Sequence, residues 1–301
     1  MGDILVGTSS WTDPTLVKDG DFYPPEAKTA KARLEFYASQ FPLVEVDSTY
    51  YFPPSERNSE LWIERTPADF TFNIKAYSLL TGHPTKPESL YKELRERAGD
   101  VIGAGANLYR DQLPSDIIDD VWRRFHDALM PLHSSGKLGA VLFQFPQWFV
   151  IGRESREYIV ECAERLSDFR VAIEFRNGLW MNERNADETL AFLAEHELPY
   201  VCVDMPQGFT SSVPPVAAAT ARDLALVRFH GRNTSAWERK GITASERFRY
   251  EYTLEELAEW VPRIQDIAAQ TRETHVLMNN CYRDHAVTNA RQLGQMVLTD
   301  V

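Results

Sequence analysis

Two kinds of hydrophobic pattern alternate along the chain. Short runs rich in β-branched and aromatic residues recur, and between them apolar positions return at helical spacing. The strand-like runs are Ile4–Ser9, Leu43–Thr49, Phe70–Ala76, Leu138–Phe145, Arg170–Arg176, Tyr200–Asp204, Leu224–His230 and His275–Asn280. Helical spacing covers 29–40, 55–66, 116–135, 154–167, 187–196, 254–271 and 286–297. Helix starts are marked by Ser115-Asp116, by Asn185 to Asp187, and by Thr253 with Glu256 three residues on, a capping box. Eight strands with helices between them predict a parallel sheet closed on itself. The fold class is α/β, a (β/α)8 TIM barrel, with residues 1–301 as one barrel domain. An open dinucleotide-binding sheet is disfavoured because the first strand-to-helix turn lacks GxGxxG.

Two long segments interrupt the alternation: 78–114 after the third strand and 231–252 after the seventh. Both follow strand C-termini, so in a barrel they stand over the mouth as walls or lids. Residues 206–222, rich in Pro and Ala, predict no full helix, and Glu88–Arg97 reads as a solvated helix face.

Residues two apart share a face of a strand, and the polar ones gather in the C-terminal halves, where barrel enzymes keep their chemistry. Glu45, Asp47 and Thr49 share one face, as do Asn73 and Lys75, Glu174 and Arg176, and Arg228 and His230. Gln144, Asp204, and Asn279 or Asn280 add single contributions. Any one such residue has a plain alternative, membership of a buried ion-pair layer. Polar groups from seven strands at one end predict a ligand site instead, since buried pairs add little stability over apolar packing. Glu45, Lys75, Glu174 and His230 are the acid–base candidates. Arg176 and Arg228 suit an anionic group, gripped bidentately, and Asp47, Asn73, Gln144, Asp204, Asn279, Asn280 and Trp237 are further substrate-binding candidates. Trp11 and Trp180 also follow strands, where lining the mouth and packing loops are both open. Trp62, Trp122 and Trp260 sit at helical spacing and predict core packing.

Charge narrows the ligand. With 44 Asp and Glu against 32 Lys and Arg, the net charge of -12 argues against a nucleic-acid binder with a broad basic face. It leaves room for a small basic pocket. A small anionic, polyhydroxylated molecule such as a sugar phosphate is the favoured partner, and oligomeric state is not legible. No cofactor is expected. A divalent metal, in a phosphoesterase or isomerase, stays open, although His83, His230 and His285 show neither HxH nor HExxH spacing; non-catalytic anion binding is the other alternative. Three cysteines without a CxxC pair, no signal-like N-terminus and no run of ~18 apolar residues suit a cytoplasmic protein. Cys281, near the last strand end without a matched base, reads as structural.

At these same residues the sequence resembles the domain of unknown function 72 family, also called YecE-like. VGTSSW at 6–11 resembles its opening GtSgW, FYPP at 22–25 the following turn, VEVDSTYY at 44–51 the ExNsTFY motif, and FNIKAYSLLTGHP at 72–84 the FxxKxxxxiTH segment. LGAVLFQFP at 138–146, AIEFRNGLW at 172–180, VRFHGRN at 227–233, the AW-to-RYEYT run at 236–253 and the NN at 279–280 also have counterparts. The resemblance implies a TIM barrel with a strand-end pocket and implies no reaction. Asp47 stands where the family pattern has Asn, adding a negative charge beside Lys75, and the TGH at 81–83 carries an extra Gly, which loosens the match at His83.

Overall fold

In the computed structural model, residues 2–99 and 107–299 are described. The strands are β1 Asp3–Thr8, β2 Leu43–Val46, β3 Thr71–Lys75, β4 Leu138–Gln144, β5 Val171–Glu174, β6 Val201–Asp204, β7 Leu224–Phe229 and β8 Glu273–Met278. They run parallel in the order β5-β4-β3-β2-β1-β8-β7-β6. The circle closes where β5 meets β6 through the bridge between Ile173 and Tyr200, with the Ile173 amide donating to the Pro199 carbonyl at 2.9 Å. The chain therefore folds as a (β/α)8 TIM barrel.

Around it lie α1 Pro14–Asp19, α2 Ala30–Ala38, α3 Glu56–Glu64, α4 Lys92–Ala98, α5 Ser115–Ser134, α6 Arg153–Arg165, α7 Ala186–Glu195, α8 Ala244–Arg247, α9 Leu254–Ala258, α10 Val261–Ala268 and α11 His285–Thr299. The long helix α5 shows why the pattern was readable. It buries Ile117, Val121, Trp122, Phe125, Leu129 and Leu132 along one stripe, and Trp122 stacks on Phe143 of β4. Each such side chain contributes ~1.5–3 kcal/mol of burial. Trp62 and Trp260 are likewise packing residues, while Trp11 and Trp180 are buried against Trp62 and Phe175.

Three differences from the sequence pattern have local causes. The stretch 254–271 divides at Trp260, because Pro262 is accepted in the first turn of α10 but supplies no amide to continue α9. Strand β2 ends at Val46, before Thr49, whose hydroxyl bridges the Val46 and Lys75 carbonyls at 2.8 and 2.6 Å and holds residues 48–50 in a 3-10 turn. The segment 78–114 includes α4, which buries Leu94 and Ala98 rather than being solvated throughout; its residues 100–106 lie outside the described residues. The Thr253–Glu256 capping box is present, whereas α5 and α7 begin near their expected starts without side-chain caps. No helix occurs at 206–222. Among the described residues no helix is long and apolar enough to cross a membrane.

Register decides which polar residues face the lumen. Glu45 lies opposite Asn73, Gln144 opposite Glu174, and Val203 opposite Arg228. In a parallel ladder paired residues share a face, so these six point inward. Asp204 lies opposite Phe229 and points outward with it, toward α9 and α10.

Candidate active site

The deepest element below the mouth is a charge network around Arg228. One arm of its guanidinium donates to Glu174 Oε2 and the other to Glu45 Oε1 at 2.6 Å, with all three side chains essentially inaccessible. Burial alone would raise the Glu174 carboxyl, but Arg228, His230 and Arg176 outweigh it and hold it well below the usual carboxylate range. Glu174 Oε1 also accepts from Gln144 Nε2 at 2.6 Å. This arrangement corrects the reading of Arg228 as an anion clamp: both of its arms are already committed to carboxylates. It also places Glu45 and Glu174 as counter-charges to Arg228 rather than as exposed groups.

Above this layer His230 joins β7 to β8. Its Nε2 lies 3.0 Å from Glu174 Oε1 and its Nδ1 lies 2.8 Å from the Asn279 amide nitrogen. Carboxylate on one side and amide donor on the other select the neutral tautomer protonated at Nε2. Burial first and the charge of Arg176 second lower its pKa to about 3, against the pull of Glu174.

The mouth opens as a cavity of about 630 Å³ lined by His83, Gln144, Gln147, Trp148, Arg176, Ser211, Trp237, Glu238, Arg239, Lys240 and Arg247, among others. Four fixed cations face one carboxylate there, a basic pocket in an acidic chain. Arg176 reaches Glu174 Oε1 only at 3.6 Å through its Nε, and its Nη1 is buried without a hydrogen-bond partner. Its guanidinium lies 5.1 Å from the Trp237 ring centre, and Trp237 is held by an indole bond to Ser211 Oγ at 2.9 Å. Burial lowers the Arg176 pKa to about 10, Glu174 opposing, so it stays charged at neutral pH.

Gln144 separates this cavity from a smaller one of about 60 Å³, lined by Asp13, Asp47, Tyr51, Lys75, Ser245, Phe248, Asn279 and Cys281. Burial and then the charge of Arg228 lower Lys75 to about 8, against Glu45, Glu174 and Asp47. Burial raises Asp47 to about 6 despite Lys75. The loop after β7 is pinned over this pocket by Ser245 Oγ donating to Asp13 Oδ2 at 2.9 Å. Burial raises the Cys281 thiol well above its ordinary range, which keeps it protonated and inert.

Three further sequence candidates lie elsewhere. Asp204, outward on β6, accepts from Tyr252 Oη at 2.7 Å, Trp260 Nε1 at 2.8 Å and Arg232 at 2.8 Å. It ties the barrel to its outer helices and is not a substrate ligand. Asp204→Asn should cost ~1–2 kcal/mol in urea unfolding, since it weakens charge-assisted bonds to buried donors, while leaving anion binding at the mouth unchanged; weakened anion binding would return Asp204 to the site. Asn280 also points outward, donating to the Tyr250 carbonyl and Asn289 Oδ1, both at 2.9 Å. Asn73 is inward but in a lower layer, its Oδ1 3.1 Å from His275 Nδ1. The parity rule fails for Asp204 and Asn280 because a strand end does not reveal which parity faces the lumen. Of the other histidines, His83 lines the larger cavity, whereas His285 sits near Glu251 and Tyr282. Among the described residues no three His, Cys, Asp or Glu side chains converge as a metal-binding group.

The family model described as "Protein of unknown function DUF72" matches residues 5–300. The chain belongs to the DUF72 family. The UPF0759 protein YunF of Bacillus subtilis (strain 168) is 33% identical over 298 residues, 98% of this chain and 94% of that protein. A crystal structure of a DUF72 family protein from Enterococcus faecalis V583 is similar with a TM-score of 0.78 and 26% identity, covering 98% of this chain and 95% of that one. Another DUF72 structure, from Thermotoga maritima MSB8, has a TM-score of 0.75 and 29% identity over 98% and 99% of the two chains.

In this DUF72 chain several mouth residues escaped the strand-by-strand reading. Tyr50 holds its ring 4.8 Å from Lys75 Nζ and 5.2 Å from His83. Trp148 packs on His83, and Arg239, Lys240 and Arg247 come from the loop after β7. Tyr50 lies inside the VEVDSTYY motif and Trp148 just beyond LGAVLFQFP. Following the motifs past the strand ends finds both. The rim cations have no such signal, because loop positions carry no periodicity.

Proposed function

We propose that the mouth is the active site of an enzyme acting on a small, polar, anionic substrate of the sugar-phosphate or sugar-acid kind by acid–base chemistry. The observation that carries this reading is Arg176, a half-buried cation with a buried, unpartnered Nη1 at the floor of a cavity whose other charges are mostly positive. Arg176 would hold the anion, assisted by Arg239, Lys240 and Arg247 at the rim, with Trp237 and Trp148 as walls. Lys75 and Asp47 line the adjoining smaller pocket, with pKa values moved toward neutrality, which suits proton transfer. Gln144 and Asn279 supply hydrogen bonds to hydroxyls. Glu45, Glu174, Arg228 and His230 form the charged floor that sets this field.

The test combines binding and turnover. Sodium phosphate should raise the melting temperature relative to equimolar chloride, with ~2.7 kcal/mol gained at a hundredfold excess over the dissociation constant. Arg176→Ala should abolish that shift. Sugar phosphates and sugar acids incubated with the protein in D2O should exchange a carbon-bound proton, followed by NMR, and Arg176→Ala should lose that as well. Stabilisation without exchange for any of them would point to a non-catalytic anion-binding protein. No Arg176-dependent stabilisation would overturn the anion site.

A further inference from the structure

The smaller pocket holds an arrangement that proton transfer alone does not require. Lys75 leaves the end of β3 into a pocket of about 60 Å³, space for about two water-sized groups. Among the described residues no carboxylate oxygen lies within 4.0 Å of its Nζ, which faces the Tyr50 ring at 4.8 Å. Arg228, by contrast, is paired with both Glu45 and Glu174. An ammonium placed among carboxylates yet left unpaired is a costly element for stability alone. It is what a nucleophilic amine needs, because a tight ion pair would hold the proton on nitrogen and cover the lone pair. Asp47 lines the same small pocket.

Deepening the reading above, and resting on it for the anion site, we infer that Lys75 is a covalent nucleophile toward the carbonyl carbon of an anionic aldehyde or ketone, with Asp47 carrying protons for the step. The unprotonated Nζ forms a C–N bond as the carbonyl π pair moves to oxygen, which takes a proton from the Asp47 carboxyl. Nitrogen then loses a proton to the Asp47 carboxylate and the hydroxyl leaves as water on taking it back. The product is an iminium on Lys75. One water is released, nothing is oxidised or reduced, and the net charge of amine plus substrate is unchanged from the ammonium state. The environment suits this: with Lys75 at about 8, roughly a quarter of the amine is neutral near pH 7.5, against about a thousandth for an ordinary lysine. Gln144 lines both cavities, and His83 feels the charge of both Lys75 and Arg176. The two cavities therefore adjoin at Gln144, with the carbonyl placed in the small pocket and the anionic group on Arg176.

Cyanoborohydride trapping tests this with two probes, pyruvate as the anionic ketone and acetaldehyde as the neutral carbonyl, read by peptide mass spectrometry. The Lys75 peptide should be labelled by acetaldehyde at least about tenfold faster than the other lysine peptides, from its larger neutral fraction. Lys75→Arg should lose that label while keeping its melting temperature and its phosphate-induced shift. Labelling by pyruvate should fall at least about tenfold in Arg176→Ala while labelling by acetaldehyde does not change. Fast acetaldehyde labelling of Lys75 with pyruvate labelling unchanged in Arg176→Ala would leave the Lys75 nucleophile standing and overturn the anion site. Phosphate binding through Arg176 with Lys75 labelled no faster than surface lysines would overturn the nucleophile and leave the anion site. If neither probe favours Lys75 and phosphate gives no shift, both readings fail.

Discussion

Replacing Arg228 with methionine should cost the protein ~3–5 kcal/mol of stability near neutral pH, measured by urea unfolding. Methionine roughly fills the volume, so the loss reports charge rather than a cavity. Glu45 and Glu174 are fully buried, and Arg228 is the cation that both contact. Without it two carboxylates remain in the barrel interior. The variant's native state would then take up protons more readily than its unfolded chain. Its deficit should accordingly be greatest at neutral pH and shrink as pH falls toward the unfolded carboxylate range, about 4 to 5. Adding Glu45→Gln and Glu174→Gln should recover most of the loss. A deficit that ignores pH, or one under about 1 kcal/mol, would mean the network is not what holds the upper barrel together.

The wild-type protein should lose stability in mild acid, with His230 as a principal cause. Its ordinary pKa of 6.5 falls to about 3 in the folded chain. Between those values the unfolded chain binds the proton and the native one does not. Stability therefore rises with pH across that window, by ~1.4 kcal/mol per pH unit for one proton, and is lost as pH falls from 6.5 toward 3. Glu174, depressed in the folded state, adds a loss of the same sign below its unfolded value. His83, also lowered to about 3, acts in the same direction, although it is only partly buried. Asp47 opposes them, because its carboxyl, raised to about 6, is protonated in the native chain between 3.8 and 6. His230→Gln keeps a donor toward Glu174 and removes the titration. Its stability-versus-pH slope between about pH 5 and 6.5 should be smaller than wild type by ~1 kcal/mol per unit. Equal slopes would show that another group takes up the proton.

The same network links stability to function. Arg228 neutralises Glu45 and Glu174, and its charge also lowers Lys75. The interior ion layer and the candidate site are therefore one electrostatic unit, with Arg228 as a positioning residue and Lys75 and Arg176 as the groups proposed to meet substrate.

The strand and helix alternation was legible because each element carries its own period, and that period needs no partner to be seen. Eight β-branched runs, the long amphipathic stripe of α5, the capping box at Thr253 and the quoted motifs all belong to local sequence. They were enough to identify the barrel, its mouth and a few of the residues that line it, among them Lys75, Gln144 and Arg176. What local sequence does not contain is the facing of each strand and the assignment of partners. Asp204 and Lys75 both stand at strand ends, yet one points to Trp260 and Tyr252 and the other into the pocket, because closure of the sheet sets the facing. Arg176 and Arg228 are equivalent in sequence, two arginines near strand ends. Only the meeting of β2, β5 and β7 across the lumen gives both carboxylates to Arg228 and leaves Arg176 Nη1 without a partner. Pairing energies depend on distance and burial, and both are properties of the closed barrel rather than of any segment.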